Sequence, residues 1–174
     1  MGTIKVAICS RDSEQNYEWL IDFLEQRMCR RTKIKARPVF INNTASQFHQ
    51  EVSGYDFAIL YHTKKRGRIN ITNVTGSLYD DELKFLHRRF RGKNVVVIDD
   101  LENSEDSEKQ RILDEQDDLR TYASGVFLFT QRDKNQTENP LKKMENNNVQ
   151  KNLKKLRKYI KKSKRRGDPS RFRE

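Results

Sequence analysis

At 174 residues, with 34% apolar and 35% charged side chains, the chain has material for one modest domain and too little for two ordinary ones. Its formal net charge of +11 resides in residues 141–174, which hold 14 Lys and Arg against 3 acids, while residues 1–140 hold 22 of each sign. That division excludes a uniformly basic protein: it predicts a charge-balanced body with a cationic end suited to polyanions or import receptors.

The first strand is expected at 4–9 (IKVAIC). Tyr17, Leu20, Ile21, Leu24 and Met28 then fall at i, i+3, i+4, i+7 and i+11, the stripe of an amphipathic helix, with Asp12 and Gln15 as a capping-box-like start. The second strand is expected at 34–41, with Pro38 pushing it to a sheet edge. Thr44 and Gln47 repeat the capping signature before Phe48 and Val52. The third strand is 57–61 (FAILY), followed by a long cationic loop at 63–76 with Lys64, Lys65, Arg66 and Arg68. Long loops at strand C-termini tend to be functional. Tyr79, Leu83, Leu86 and Phe90 form another helical stripe, with Ser77 as its cap and Asp80, Asp81 and Glu82 in the first turn, where the helix dipole favours acids. The fourth strand is 95–98 (VVVI), a weaker helix spans 104–122, and the fifth strand is 126–129 (VFLF). Val149, Leu153, Leu156 and Ile160 mark a last helix at about 147–163.

Strands three to five are continuously apolar, as in a parallel sheet covered on both faces. The alternation of strand and helix predicts an α/β fold: a five-stranded parallel sheet in flavodoxin-like order 2-1-3-4-5 with helices on both faces. The domain is expected to occupy 1–160, with 161–174 a basic tail lacking regular structure. No run of about 18 apolar residues is available to span a membrane. The N-terminal residues lack a signal-peptide pattern, and Val6 stands where N-myristoylation wants Ser or Thr. Two cysteines, Cys9 and Cys29, outside a C-x-x-C pair, argue for a reducing compartment and against a disulfide scaffold or zinc site. A cytoplasmic location is expected, with the tail adding a nuclear alternative. The N-x-[ST] matches at Asn42, Asn70, Asn73 and Asn135 are then chance.

In folds of this order, ligands bind beyond the strand C-termini. That edge collects Ser10, Arg11, Asp12 and Ser13; Asn42, Asn43 and Thr44; His62, Thr63 and the basic loop; Asp99 and Asp100; Thr130 and Arg132. No P-loop and no G-x-G-x-x-G motif is present, so a nucleotide pyrophosphate is not cradled by those routes. Cys9 lacks the Arg of a C-x₅-R phosphatase loop, because Gln15 occupies that position. Strand three ends in His rather than the acid of a receiver-type cluster. His49, His62 and His87 match no metal-ligand spacing and read as surface or loop residues. On the third helical stripe, Asp81 points away from the apolar face and Glu82 lies about 70° from its centre, able to lean over the strand ends. The alternative is that all three acids serve only as helix-start charges.

Two patches carry a family likeness. KVAICSRDSEQNYEWLIDFLEQ resembles the first strand and helix of Toll/interleukin receptor (TIR) domains, and more closely the SEFIR branch of that superfamily. SLYDDELKFLHRRFRGKNVVVIDD resembles their third helix and fourth strand, and NVQKNLKKLRKYIKK looks like the helix that closes the fold. The resemblance implies a signalling or adaptor module acting by protein–protein contact, with a protein partner or a second copy of itself. NAD-cleaving members carry an aromatic residue followed within one turn by a catalytic Glu. By that likeness Glu82 would be catalytic, Tyr79, Ser10, Arg11 and Asp12 would bind the cofactor, and the cofactor would be NAD. A third function class rests on the tail: Lys161, Lys162, Lys164, Arg165, Arg166, Arg171 and Arg173 have the composition of an import signal or a non-specific nucleic-acid patch. Aromatic interleaving is slight, so base stacking is not supported.

Overall fold

A computed structural model describes residues 2–26, 32–137 and 147–165. Five parallel strands form one sheet: β1 (Gly2–Ser10), β2 (Thr32–Phe40), β3 (Phe57–Thr63), β4 (Asn94–Leu101) and β5 (Val126–Thr130). Their order is β2-β1-β3-β4-β5, the flavodoxin-like α/β topology expected. Parallel neighbours need crossovers. Among the described residues these contain α1 (Glu18–Glu25), α2 (Ala45–Glu51), α3 (Asp80–Phe90), and α4 (Asp106–Glu115) with α5 (Asp118–Tyr122); α6 (Gln131–Thr137) and α7 (Asn147–Arg165) follow the last strand. β2 is an edge strand, where Pro38, lacking an N–H, does not break a ladder.

The helices bury their stripes on opposite faces of the sheet. On one face Tyr17, Leu20 and Leu24 pack with Leu153, Leu156 and Ile160 over Ile4, Ile8, Ile59 and Phe127. On the other, Phe48, Val52, Leu83, Leu86 and Phe90 pack with Ile112 and Leu119 over Ala7, Leu60, Val96 and Leu128. β3 is buried along its whole length, which is why FAILY reads as a continuous apolar run.

Four local expectations change. The segment expected as one helix at 104–122 is two, α4 and α5, separated at Gln116 and Asp117. Gln116 is fully buried, and its amide serves another segment rather than a helix surface. α6 carries no apolar stripe and was not expected. Asp12, Thr44 and Ser77 make no side-chain cap: α1 follows a short 3-10 turn at Glu14–Asn16, and the residue before α3 is Tyr79. α7 runs to Arg165, so Lys161, Lys162 and Lys164 stand in a helix whose Ser163 is buried. Met28, Cys29, Arg166, Arg171 and Arg173 lie outside the described residues.

Candidate functional site

The strand C-termini assemble two polar clusters. The first follows β1. Ser10 is buried and its hydroxyl donates to the Tyr61 carbonyl at 2.8 Å, which fixes the chain where it leaves the sheet. The same oxygen accepts from the Asp12 N–H at 2.9 Å, a local turn that points the Asp12 carboxylate inward. Asp12 accepts from the Thr63 N–H (3.3 Å) and from the Arg66 guanidinium (2.9 Å). This inward bonding explains why Asp12 does not cap a helix.

Arg11 turns the other way and lies across the start of α3. Its guanidinium meets Glu82 at 2.5 Å, donates to the Leu78 carbonyl at 3.1 Å, and stands 5.7 Å from the centre of the Tyr79 ring. The Arg11 N–H donates to the Tyr79 hydroxyl at 3.2 Å. The Tyr79 phenol is pushed up mainly by burial. Ser10, Arg11, Asp12, Tyr79 and Glu82 therefore lie together at one edge of the sheet. Of the three acids opening α3, Glu82 is the one turned to the strand ends. Asp81 is exposed, and Asp80 serves the helix start, accepting from Thr72 and from the Asn73 N–H.

The second cluster lies at the end of β4. A register shift between Ile98 and Leu101 accompanies a positive φ of 59° at Asp100, and this bulge turns two successive carboxylates toward one ammonium. Lys134 of α6 lies 2.5 Å from Asp100 and 3.3 Å from Asp99. Asp99 is fully buried and also accepts from the Trp19 indole at 3.2 Å and from the Tyr61 hydroxyl. Burial pushes the Asp99 carboxyl up, against the lowering effect of Tyr61 and Lys134. Burial also acts on Asp100, but the hydrogen bonds from Lys134 and Thr63 outweigh it and hold that carboxyl low. Burial and the neighbouring Asp99 charge push the Tyr61 phenol far up.

The basic loop joins the clusters instead of standing free. Lys64 pairs with Glu102 (3.5 Å), Lys65 with Asp100 (4.0 Å) and Arg66 with Asp12 (2.9 Å). Gly67, at φ 97°, closes the 3-10 turn that aims these three cations, a backbone shape that glycine adopts without strain. His62 is wholly buried, not a surface residue. Its Nε2 donates to the Arg68 carbonyl at 2.8 Å, and burial holds the ring neutral by pushing its pKa down. Further along, the Gln116 side chain accepts from the Ile71 and Thr72 N–H groups (2.9 and 3.1 Å) and donates to the Ile69 carbonyl (3.0 Å). The long loop is thus built as fixed structure.

Sequence reasoning missed Lys134 and Gln116. A lone polar residue on a weakly patterned helix gives no signal of its buried role. Among the described residues no group of three or more His, Cys, Asp and Glu could hold a metal ion, and no helix is long and apolar enough to cross a membrane. No protein-family model matches the chain, and no curated protein matches its sequence.

Proposed function

We propose that this chain is a TIR/SEFIR-like adaptor module that works by protein–protein contact, with a protein partner or a second copy of itself. The observation that carries this reading is the occupancy of Glu82 by Arg11. A carboxylate that stabilises positive charge building on a ribose must present uncompensated negative charge to it. Here a guanidinium held by Leu78, Tyr79 and the Glu82 carboxylate supplies the countercharge from within the chain. The loop cations are likewise matched to Asp12 and Asp100. An edge closed by its own ion pairs suits a rigid contact surface better than a cofactor cleft. Phe40, 58% exposed at the end of edge strand β2, offers an apolar anchor for such a contact.

Sedimentation velocity over a wide concentration range, run beside an NAD-cleavage assay, tests this reading. Self-association that weakens in Phe40→Ser, with no NAD turnover, is the expected pair of results. NAD cleavage that disappears in Glu82→Gln would replace the adaptor by a glycohydrolase using Glu82.

A further inference from the structure

α7 carries nine Lys and Arg and no acidic residue. Two of the nine are used by the fold. Arg157 lies 4.2 Å from the Phe23 ring centre and donates to the Phe23 carbonyl at the end of α1, and Lys164 reaches the Thr3 carbonyl at 3.4 Å. Another six turn outward: Lys151, Lys154, Lys155, Lys158 and Lys162 are exposed and Lys161 is half-buried. At about 100° per residue they occupy an arc of roughly 120°, opposite Leu153, Leu156 and Ile160. They extend over about 17 Å of helix.

None of these six pairs with a carboxylate among the described residues. Several surface cations elsewhere are matched: Arg111 is held by Glu108 and Glu115, Arg120 by Asp114, and Arg37 by Glu25. Like charges at i, i+3 and i, i+4 destabilise a helix by a few tenths of a kcal/mol per pair, so an unrelieved lysine face opposes helix stability. The patch continues onto α4. Lys109 and Lys155 line one cavity of about 190 Å³ together with Tyr159. Burial, and then the neighbouring Lys155 ammonium, hold Lys109 below the ordinary lysine range.

We propose that the outer face of α7, with Lys109, docks the phosphate backbone of double-helical DNA without reading its bases. The charges begin at Lys151, within the folded domain, ten residues before the tail. Their arc favours a duplex over a lipid surface. A plane meets mainly the crest of a helix, whereas a major groove about 12 Å wide places phosphates on both flanks of a helix about 10–12 Å across. The apolar side chains of α7 are committed to the sheet, so none is available to enter a bilayer. The six lysine ammonium groups are point charges on flexible stems, suited to phosphate contacts that position a protein on a duplex without reading sequence. This inference is independent of the adaptor reading, since α7 makes no part of the Arg11–Glu82 edge.

The test is fluorescence anisotropy of a labelled random-sequence DNA duplex, titrated with full-length protein at several salt concentrations. Four or five engaged phosphates give the wild type a log–log salt slope of about −3.5 to −4.5. The full-length variant K151Q/K155Q/K158Q/K162Q should lose at least about tenfold in affinity and bring the slope close to −1. The full-length tail variant R166Q/R171Q/R173Q should retain a slope steeper than about −3. A single K158E change, with an unchanged circular-dichroism melt, should weaken binding in the same direction and guards against misfolding of the quadruple variant. The proposal is overturned by a wild type that does not bind duplex, by binding lost in the tail variant but kept in the helix variant, or by phosphatidylserine vesicles that capture the protein more tightly than duplex does.

Discussion

Replacing Lys134 with Met keeps the volume of a long side chain and removes its ammonium. Lys134 and the two carboxylates it joins are nearly inaccessible, with side-chain exposures of 8%, 0% and 7% for Lys134, Asp99 and Asp100. Breaking a buried pair by removing one partner costs about 3–5 kcal/mol, because the remaining charge is left uncompensated. Asp99 keeps Tyr61 and Trp19, and Asp100 keeps Thr63, so the loss should sit at the lower end, about 3 kcal/mol. For a chain of this size, that lowers the melting temperature by about 6–12 °C. The pH dependence is the sharper test. Lys134 depresses both carboxyl pKa values, so Lys134→Met raises both in the folded state and leaves the unfolded chain's values where they were. A higher folded pKa means that the native variant binds more protons than native wild type as pH falls, which stabilises it relative to wild type. The deficit of the variant should therefore shrink on going from neutral pH into the carboxylate range. Calorimetric melts of both proteins across that range measure it. A deficit below about 0.5 kcal/mol, or one that grows on acidification, would refute the buried ion-pair reasoning.

Leu24→Ala removes a buried residue from the α1 stripe and should cost about 2–5 kcal/mol in urea unfolding; a loss below about 0.5 kcal/mol would mean that this face is not core. Gln116→Ala leaves the Ile71 and Thr72 N–H groups and the Ile69 carbonyl without their side-chain partner, an expected cost of about 2–4 kcal/mol from unsatisfied buried groups. The same change should speed tryptic cleavage after Lys64, Lys65, Arg66 or Arg68 in the native protein; an unchanged digestion rate would show that Gln116 does not hold the loop.

The sheet is legible from local pattern alone, because strand and helix periodicities are local properties. Ile4 to Cys9, the FAILY segment and the VVVI segment each announce burial through their own composition, and Tyr17, Leu20 and Leu24 announce a face through their spacing. With right-handed crossovers, that alternation leads to the order found, and Pro38 indicates the edge. That Ser10, Arg11, Asp12 and Glu82 lie at one edge was legible for a related reason, since it follows from topology and helical angle, whereas Tyr79 read as part of an apolar stripe and entered the site only through the family likeness.

Which of those residues bond to which was decided only in three dimensions. Arg11 meets Glu82 across 71 positions, and the Gln116 amide meets the Ile71 N–H across 45. Short-range signals misled where a distant partner offered more. Asp12 reads as a helix cap until Arg66 and the Thr63 N–H compete for its carboxylate, and the helix pattern through 104–122 breaks because Gln116 is drawn into the loop's backbone. The charge asymmetry was visible in composition, but its geometry was not. Only the packing of α7 onto the sheet separates Arg157 and Lys164, which the fold uses, from the six lysines that solvent receives, because burying Leu153, Leu156 and Ile160 fixes the rotation of the helix and so the direction of its charge.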